Sequence, residues 1–597
     1  MTTTDQDIEN QTSKLEQNLA KLHELNQRLI TVLQTKKTTD AALSGPGHDL
    51  ALKTTAAYWQ EAIQNPSRLI EHQIAYWGKT LTHFIEAQNA MMHKDFDAVE
   101  TSAPLDKRFS NPLWNSHPYF KFIKQQYLHN AEVVQSSIES IDGLETTEKR
   151  RLEYFSKQIV DMMAPTNFLA TNPDALEQAV ETQGQSLIDG LENLIADLED
   201  NDGELVVRLA DEKAFELGGN IATTPGKVVF RNHMLELIQY SPSTQTTHEI
   251  PLVIFPPWIN KFYILDLTAQ NSLIKWLVAQ GLTVFIVSWI NPDASYKEVS
   301  LEDYIEHGYL QALQTVRSET GQDKVNAVGY CIGGTTLALT LALLKQRGEE
   351  LINSATFFTT LTDFSNQGEF LPFLQNDFID GIEQEVGTKG ILESYIMART
   401  FSFLRSNDLI YSPAIKSYMM GKAPPAFDLL YWNGDGANLP GKMAVQYLRG
   451  LCQRNEFAEG GFELFGKKLH LRNVDVPLCA VACETDHIAN WKDSYRGVAQ
   501  MGGRSKTFIL AESGHIAGII NPPGKNKYGF FLNSDPKKTP EKWHSNAKYH
   551  AGSWWNEWAS WLKKRSGKQR DALVPGSDSL PVICDAPGLY VTQKAKV

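Results

Sequence analysis

Over the first two hundred residues, apolar positions recur at helical spacing. Between 13 and 35, Leu15, Leu19, Leu22, Leu29 and Val32 are separated by Lys, Glu and Gln, which predicts an amphipathic helix. Such a helix either covers its own domain's core or presents a face to a partner or surface. Gly45-Pro46-Gly47 breaks the pattern. Helices are predicted again over 50–63, 68–92, 118–141, 145–163 and 173–200, the last with Pro173 at its start. An aromatic-rich turn, Asn111-Pro112-Leu113-Trp114 with His117-Pro118-Tyr119, lies among them. Residues 1–214 are thus predicted as a mainly helical N-terminal domain.

Near 215 the period changes. Residues 228–230 and 235–240 alternate as strands around a turn at Asn232-His233. Short apolar runs at 251–255, 282–289, 325–328 and 355–358 then alternate with helical stretches at 268–280, 301–318 and 333–347. From about 362 to 470 the rhythm gives way to a mixed, aromatic-rich insertion. Strands at 478–482 and 507–510 resume it, and a last helix at 553–564 puts Trp554, Trp558 and Trp561 on one face for packing onto the sheet. This βαβ order predicts a doubly wound, mostly parallel sheet over 215–597. No internal repeat or low-complexity segment interrupts it.

Composition narrows the function classes. The 597 residues carry 42% hydrophobic and 10% aromatic side chains, enough for a large core. A formal charge of -14 argues against nucleic acid as the main partner. The five cysteines (331, 452, 479, 483 and 584) form no CxxC pair and no metal-ligand spacing, which predicts no metal site and a reducing compartment. The polar, acidic start has neither the basic nor the apolar region of a secretory signal, and no apolar run reaches the roughly 18 residues of a membrane span. The expected location is the cytoplasm.

The chemistry concentrates at Gly329-Tyr330-Cys331-Ile332-Gly333-Gly334. The segment follows a predicted strand and opens a predicted helix, the setting of a nucleophile elbow. Small residues are needed where such a strained turn backs onto its neighbours. It holds the nucleophile at the positive end of a helix, where the Ile332 N–H can face a developing oxyanion. An isolated cysteine is more often a small buried hydrophobe, and the other four keep that reading.

The α/β-hydrolase order then places an acid and a histidine after later strands. Asp486 follows the strand at 478–482, and His515 follows the one at 507–510. Glu484 is a rival acid with a longer arm. His487 adjoins the acid and is assigned a supporting or structural place. Asp303, three residues after Ser300, reads as a capping box. The second oxyanion donor is expected in Pro256-Pro257-Trp258-Ile259-Asn260, from the N–H of Trp258 or Ile259, since the prolines have none. A thiol nucleophile suits acyl transfer, because attack on a CoA thioester exchanges one thioester for another and keeps the acyl group activated for an alcohol. On the residues alone the reading is covalent acyl chemistry by Cys331, His515 and Asp486.

The box at Cys331 resembles the lipase-like box of the polyhydroxyalkanoate synthases, in which cysteine replaces serine. Further stretches resemble that family: Pro256-Pro257-Trp258-Ile259-Asn260-Lys261-Phe262-Tyr263-Ile264-Leu265-Asp266-Leu267, Val287-Ser288-Trp289-Ile290-Asn291-Pro292-Asp293, Thr400-Phe401-Ser402-Phe403-Leu404-Arg405, Trp432-Asn433-Gly434-Asp435, and, most specifically, Ser513-Gly514-His515-Ile516-Ala517-Gly518-Ile519-Ile520-Asn521-Pro522-Pro523. The likeness runs from about 105 to the C-terminus, and its layout looks like class I, the poly-3-hydroxybutyrate type. It implies an α/β-hydrolase domain with a cap at about 362–440. It also implies that Cys331 carries the growing chain, His515 deprotonates the thiol, and Asp486 activates the 3-hydroxyl with or through His515. The substrate would be a short-chain 3-hydroxyacyl-CoA and no cofactor would be needed. The enzyme would be a homodimer at the surface of polymer granules, with phasin-type proteins as further partners. Trp258 stands where some relatives carry a smaller residue, and Ile290 where others carry a basic one. A cysteine thioesterase or lactone hydrolase of the same fold, and a granule-coating scaffold, are the alternative readings.

Overall fold

The computed structural model describes residues 3–35, 76, 78–83, 85, 106–141, 143–201, 203–366, 368–525, 527–533, 539–578 and 580–595. The helix predicted at 50–63, the break at 45–47 and most of the helix predicted at 68–92 lie outside them. The chain divides into two compact units, Met1–Leu209 with Arg399–Pro425, and Ala210–Ala398 with Ala426–Val597.

The first unit is helical: α1 (Thr3–Thr35), α2 (Pro118–Glu139), α3 (Thr146–Met162), α4 (Pro173–Glu181) and α5 (Gln185–Asp200). Leu25 of α1 buries against Ile188 and Ile195 of α5, and Arg28 pairs with Glu199 at 2.6 Å. That pair is exposed enough to contribute little, so the apolar contact holds the helices together. Asn111 is buried: its side-chain oxygen accepts from Leu113 N, and its amide donates to Asp174 and Glu177. The helix predicted over 173–200 is broken, because Gln183 (φ 53°) and Gly184 (φ 82°) turn left-handed between α4 and α5. No described helix is long and apolar enough to cross a membrane.

The second unit is built on an eleven-stranded sheet. Its strands are β1 (Gly226–Arg231), β2 (Leu235–Tyr240), β3 (Leu252–Phe255), β4 (Val284–Trp289), β5 (Val325–Tyr330), β6 (Ile352–Phe358), β7 (Leu478–Cys483), β8 (Lys506–Ala511), β9 (Phe530–Leu532), β10 (Lys548–His550) and β11 (Cys584–Asp585). They lie in the order β10-β9-β8-β7-β6-β5-β3-β4-β2-β1-β11. The six strands from β8 to β4 are parallel, and the flanking pairs are antiparallel. Every residue of β4, β5 and β7 is buried, as a parallel sheet covered on both faces requires. The doubly wound α/β prediction holds.

The helices that matter for the site are α6 (Leu273–Ala279), α7 (Gln311–Thr320), α8 (Ile332–Arg347), α9 (Asn376–Lys389), α10 (Trp491–Gln500) and α11 (Trp555–Lys563). In α8 every residue from Gly333 to Leu344 is buried, so this helix runs through the core. Ser300 and Asp303 form the expected capping box. The single helix predicted at 301–318 instead widens to i→i+5 turns over Tyr304–Leu310 before continuing as α7. That widening accompanies two contacts: Tyr309 stacks on Phe255, centroids 4.1 Å apart, and its hydroxyl donates to the Gly333 carbonyl at 2.7 Å.

Candidate active site

The site lies at the C-terminal ends of β5, β7 and β8, on the side of the sheet where loops after parallel strands converge. Strand β5 ends at Tyr330, and the next residue, Cys331, has φ 53° and ψ -123° before α8 begins. A side chain rarely adopts this conformation, which costs about 1–3 kcal/mol and persists only where neighbours over-determine it. Those neighbours are visible. Cys331 N donates to the Phe358 carbonyl at 2.8 Å. A Cβ on Gly333 would stand 2.6 Å from the carbonyl oxygens of Phe255 and Pro256, and one on Gly329 would stand 2.4 Å from Gly334 Cα. The glycines are there because backbone passes where a side chain would sit. Gly333→Ala is therefore expected to destabilise the protein by about 3 kcal/mol or more, read as a fall in Tm, since both obstructing atoms are backbone.

The acid and base are tied to each other before they reach the nucleophile. Asp486 follows β7 by three residues and His515 follows β8 by four. Backbone bonds from Glu484 N to the Ala511 carbonyl (2.8 Å) and from Thr485 N to the Ser513 carbonyl (3.0 Å) lace the two loops together. Ser513, at φ 79°, and Thr359, at φ 38° just beyond β6, share the left-handed backbone of Cys331, so three of the seven such non-glycine residues among those described stand at the ends of β5, β6 and β8.

Asp486 Oδ1 accepts from Ile488 N (2.8 Å) and Ala489 N (2.9 Å), while Oδ2 accepts from His515 Nδ1 at 2.7 Å. The Asp486 side chain has 0% exposure and that of His515 9%. Burial alone depresses the imidazolium, but the Asp486 carboxylate first and Cys331 next outweigh it and push His515 up to about 10. The structure thus brings Cys331, His515 and Asp486 together. Of the rival residues, Glu484 is 37% exposed and faces His544 at 3.9 Å. His487 is half-buried in the turn beside Asp486.

The oxyanion candidates flank the elbow. Ile332 opens α8, so its N–H has no partner within the helix. Trp258 is buried, donates its indole N–H to Thr336 Oγ1 in the next turn of α8 at 3.2 Å, and packs edge-on against Tyr447. Cys452, Cys479 and Cys483 are buried, and burial holds each thiol above its usual range. Among the described residues no group of three or more His, Cys, Asp or Glu side chains could hold a metal ion.

Tyr330, given no role by the sequence pattern, has its ring 5.9 Å from that of His515 and nearly parallel to it, and its hydroxyl donates to the His515 carbonyl at 3.3 Å. The spacing of Trp554, Trp558 and Trp561 predicts packing onto the sheet alone. Trp558 does bond to Thr356 on β6, but Trp554 and Trp555 donate to the carbonyls of Gly518 and Ile519 in the His515 loop. A buried indole needs an acceptor, but no local pattern says which one it finds.

An elbow nucleophile, a buried acid–histidine pair and a parallel sheet in this order define an α/β-hydrolase-fold enzyme. Residues 251–522 match the model described as alpha/beta hydrolase fold. Residues 105–277 match the model described as the N-terminus of poly-beta-hydroxybutyrate polymerase (PhaC). The chain is 41% identical over 537 residues to the poly(3-hydroxyalkanoate) polymerase of Methylorubrum extorquens, covering 90% of this chain and 87% of that one. It is 38% identical over 547 residues to the poly(3-hydroxyalkanoate) polymerase subunit PhaC of Rhizobium meliloti, covering 91% and 88%. To the subunit of the same name from Cupriavidus necator it is 39% identical over 519 residues, covering 84% and 87%. The chain belongs to the poly(3-hydroxyalkanoate) polymerase family and is an acyltransferase.

Proposed function

We propose that this enzyme polymerises short-chain (R)-3-hydroxyacyl groups from their CoA thioesters, releasing CoA and passing through an acyl–Cys331 intermediate. The observation that carries the reading is the strained thiol at the elbow, placed beside a histidine locked to a buried carboxylate. His515, raised to about 10 beside Asp486 and Cys331, already holds the thiol proton as the Cys331 sulfur attacks the thioester carbonyl. The N–H groups of Ile332 and Trp258 are the assigned donors to the oxyanion. The carbonyl re-forms, the C–S bond to CoA breaks, and the proton on His515 leaves with the CoA sulfur. The 3-hydroxyl of another hydroxyacyl group then gives its proton to His515 and attacks the acyl–sulfur carbonyl. An oxoester forms, and the Cys331 sulfur recovers the proton.

Thioester exchange is nearly isoenergetic and conversion to an oxoester runs downhill, so each turn extends the chain without further activation. Asp486 is assigned a role through His515. Its Oδ1 is taken by two backbone N–H groups, its Oδ2 by the imidazole, and its side chain is fully buried. Sulfur carries the acyl group and imidazole the proton, so the reaction as written needs no cofactor.

The length and layout support the class I type, and the likeness to the polymerase family is the ground for assigning it a homodimer at the cytoplasmic surface of polymer granules. The helical N-terminal unit is assigned to contact with granule, phasin-type partner or second subunit. The residues at about 362–440 are assigned to a cap over the site. The test is to incubate the purified protein with 3-hydroxybutyryl-CoA and follow both thiol release and product. CoA release with ester-linked polymer is expected. Release with only monomeric 3-hydroxy acid would make the protein a thioesterase of this fold.

A further inference from the structure

The turn that carries His515 uses only some of its carbonyl groups internally. The Gly514 carbonyl accepts from Gly518 N at 2.9 Å, and the Ile516 carbonyl accepts from Ile519 N and Ile520 N at 3.0 and 2.8 Å. The carbonyls of His515, Gly518 and Ile519 are instead taken by three aromatic side chains: the Tyr330 hydroxyl at 3.3 Å, Trp554 Nε1 at 2.7 Å and Trp555 Nε1 at 2.9 Å. All three donors are at most 1% exposed. They come from two firmly held places, the end of β5 directly before the nucleophile and the start of α11. The loop they grip also contains Ser513 in its strained left-handed conformation. Such a conformation relaxes unless surrounding bonds hold it.

We propose that Tyr330, Trp554 and Trp555 are positioning residues, a cradle of aromatic donors that fixes the His515 loop so that the imidazole faces Cys331. None of them needs to touch the reacting atoms. Trp558 supplies an internal control. It lies on the same helix, is equally buried, and donates its indole N–H to Thr356 Oγ1 on β6 at 3.0 Å rather than to the loop. Removing any of these indole donors leaves a comparable hole and an unfilled acceptor, but only Trp554 and Trp555 release the loop.

The inference rests on Cys331 and His515 acting as a pair, so the readout is chosen to need no substrate. The rate of alkylation of Cys331 by iodoacetamide, followed on its peptide by mass spectrometry across pH, reports how readily His515 takes the thiol proton. His515→Ala sets the floor. Trp554→Phe and Trp555→Phe are expected to slow alkylation at neutral pH by about tenfold, the scale of a small misplacement of a catalytic group. Trp558→Phe is expected within about twofold of wild type at a similar loss in Tm. Tyr330→Phe removes one oxygen without changing volume, so it keeps the test readable if a tryptophan variant does not fold; a loss of about threefold is expected. The cradle is wrong if Trp554→Phe and Trp555→Phe match Trp558→Phe, or if Tyr330→Phe matches wild type. Alkylation as fast in His515→Ala as in wild type would instead strike at the Cys331–His515 pairing, and normal alkylation without polymer would strike at the proposed reaction alone.

Discussion

Cys331→Ala is expected to lower CoA release from 3-hydroxybutyryl-CoA by about 10⁴-fold or more while leaving the fold in place. The size follows from what is removed. In the proposed reaction the sulfur forms the covalent intermediate, and neither His515 nor an oxyanion donor can replace that bond. Alanine fits the φ 53° turn no worse than cysteine does, and it is smaller than the half-buried thiol, so the Tm should change little. Thiol release measured beside thermal denaturation separates the two effects. Activity that survived the substitution would mean that another residue is the nucleophile. Cys452, Cys479 and Cys483 are poor substitutes, because burial disfavours the thiolate at each.

Asp486→Asn is expected to reduce turnover by about 10² to 10⁴-fold with little change in KM, because in the proposed reaction the carboxylate acts through the base it orients and charges. It also has a pH signature in stability. His515 is raised in the folded protein to about 10, so its pairing stabilises the fold fully below the ordinary histidine value of about 6.5. That stabilisation is lost as pH rises through the folded value. The substitution should therefore be most damaging near pH 6, on the order of 3–5 kcal/mol for a broken buried pair. The penalty should shrink toward pH 10, where the imidazole is losing its proton in wild type as well. Denaturant unfolding of both proteins at the two pH values checks this. An equal penalty at both would show that the pair carries no net charge interaction.

The parts of this enzyme that could be read from the sequence are those set within a few residues of one another. The pattern of apolar positions located β2 by its alternation and β4 and β7 by short apolar runs, as strands buried on both faces require. The elbow was legible because steric demands at Gly329 and Gly333 act over six residues of chain. Strands β9, β10 and β11 were not read. Each has two or three residues, and all three of β10 are exposed, so no pattern marks them until neighbouring strands offer hydrogen bonds. The break at Gln183-Gly184 escaped because the apolar spacing continues on both sides of it. The wide turns over Tyr304–Leu310 escaped because they answer to Phe255 and Gly333, neither of which is near in sequence.

The candidate site divides the same way. By itself the chain marked the candidate nucleophile, the candidate order nucleophile–acid–histidine and the helix start that follows the thiol, since these depend on local turns and on strands ending in sequence. The shorter arm of Asp486 favoured it over Glu484 on the sequence, but only the tertiary structure shows their surroundings: two residues apart on one turn, one makes a dry bond with His515 and the other lies toward solvent near His544. It alone gave His515 its proton affinity, which depends on a carboxylate 29 positions away at 2.7 Å and on burial that no composition reveals. It alone turned Trp554 and Trp555 from packing into donors for the His515 loop. A hydrogen bond is a matter of atoms within about 3 Å, and the sequence orders residues along the chain while folding decides which distant ones come that close.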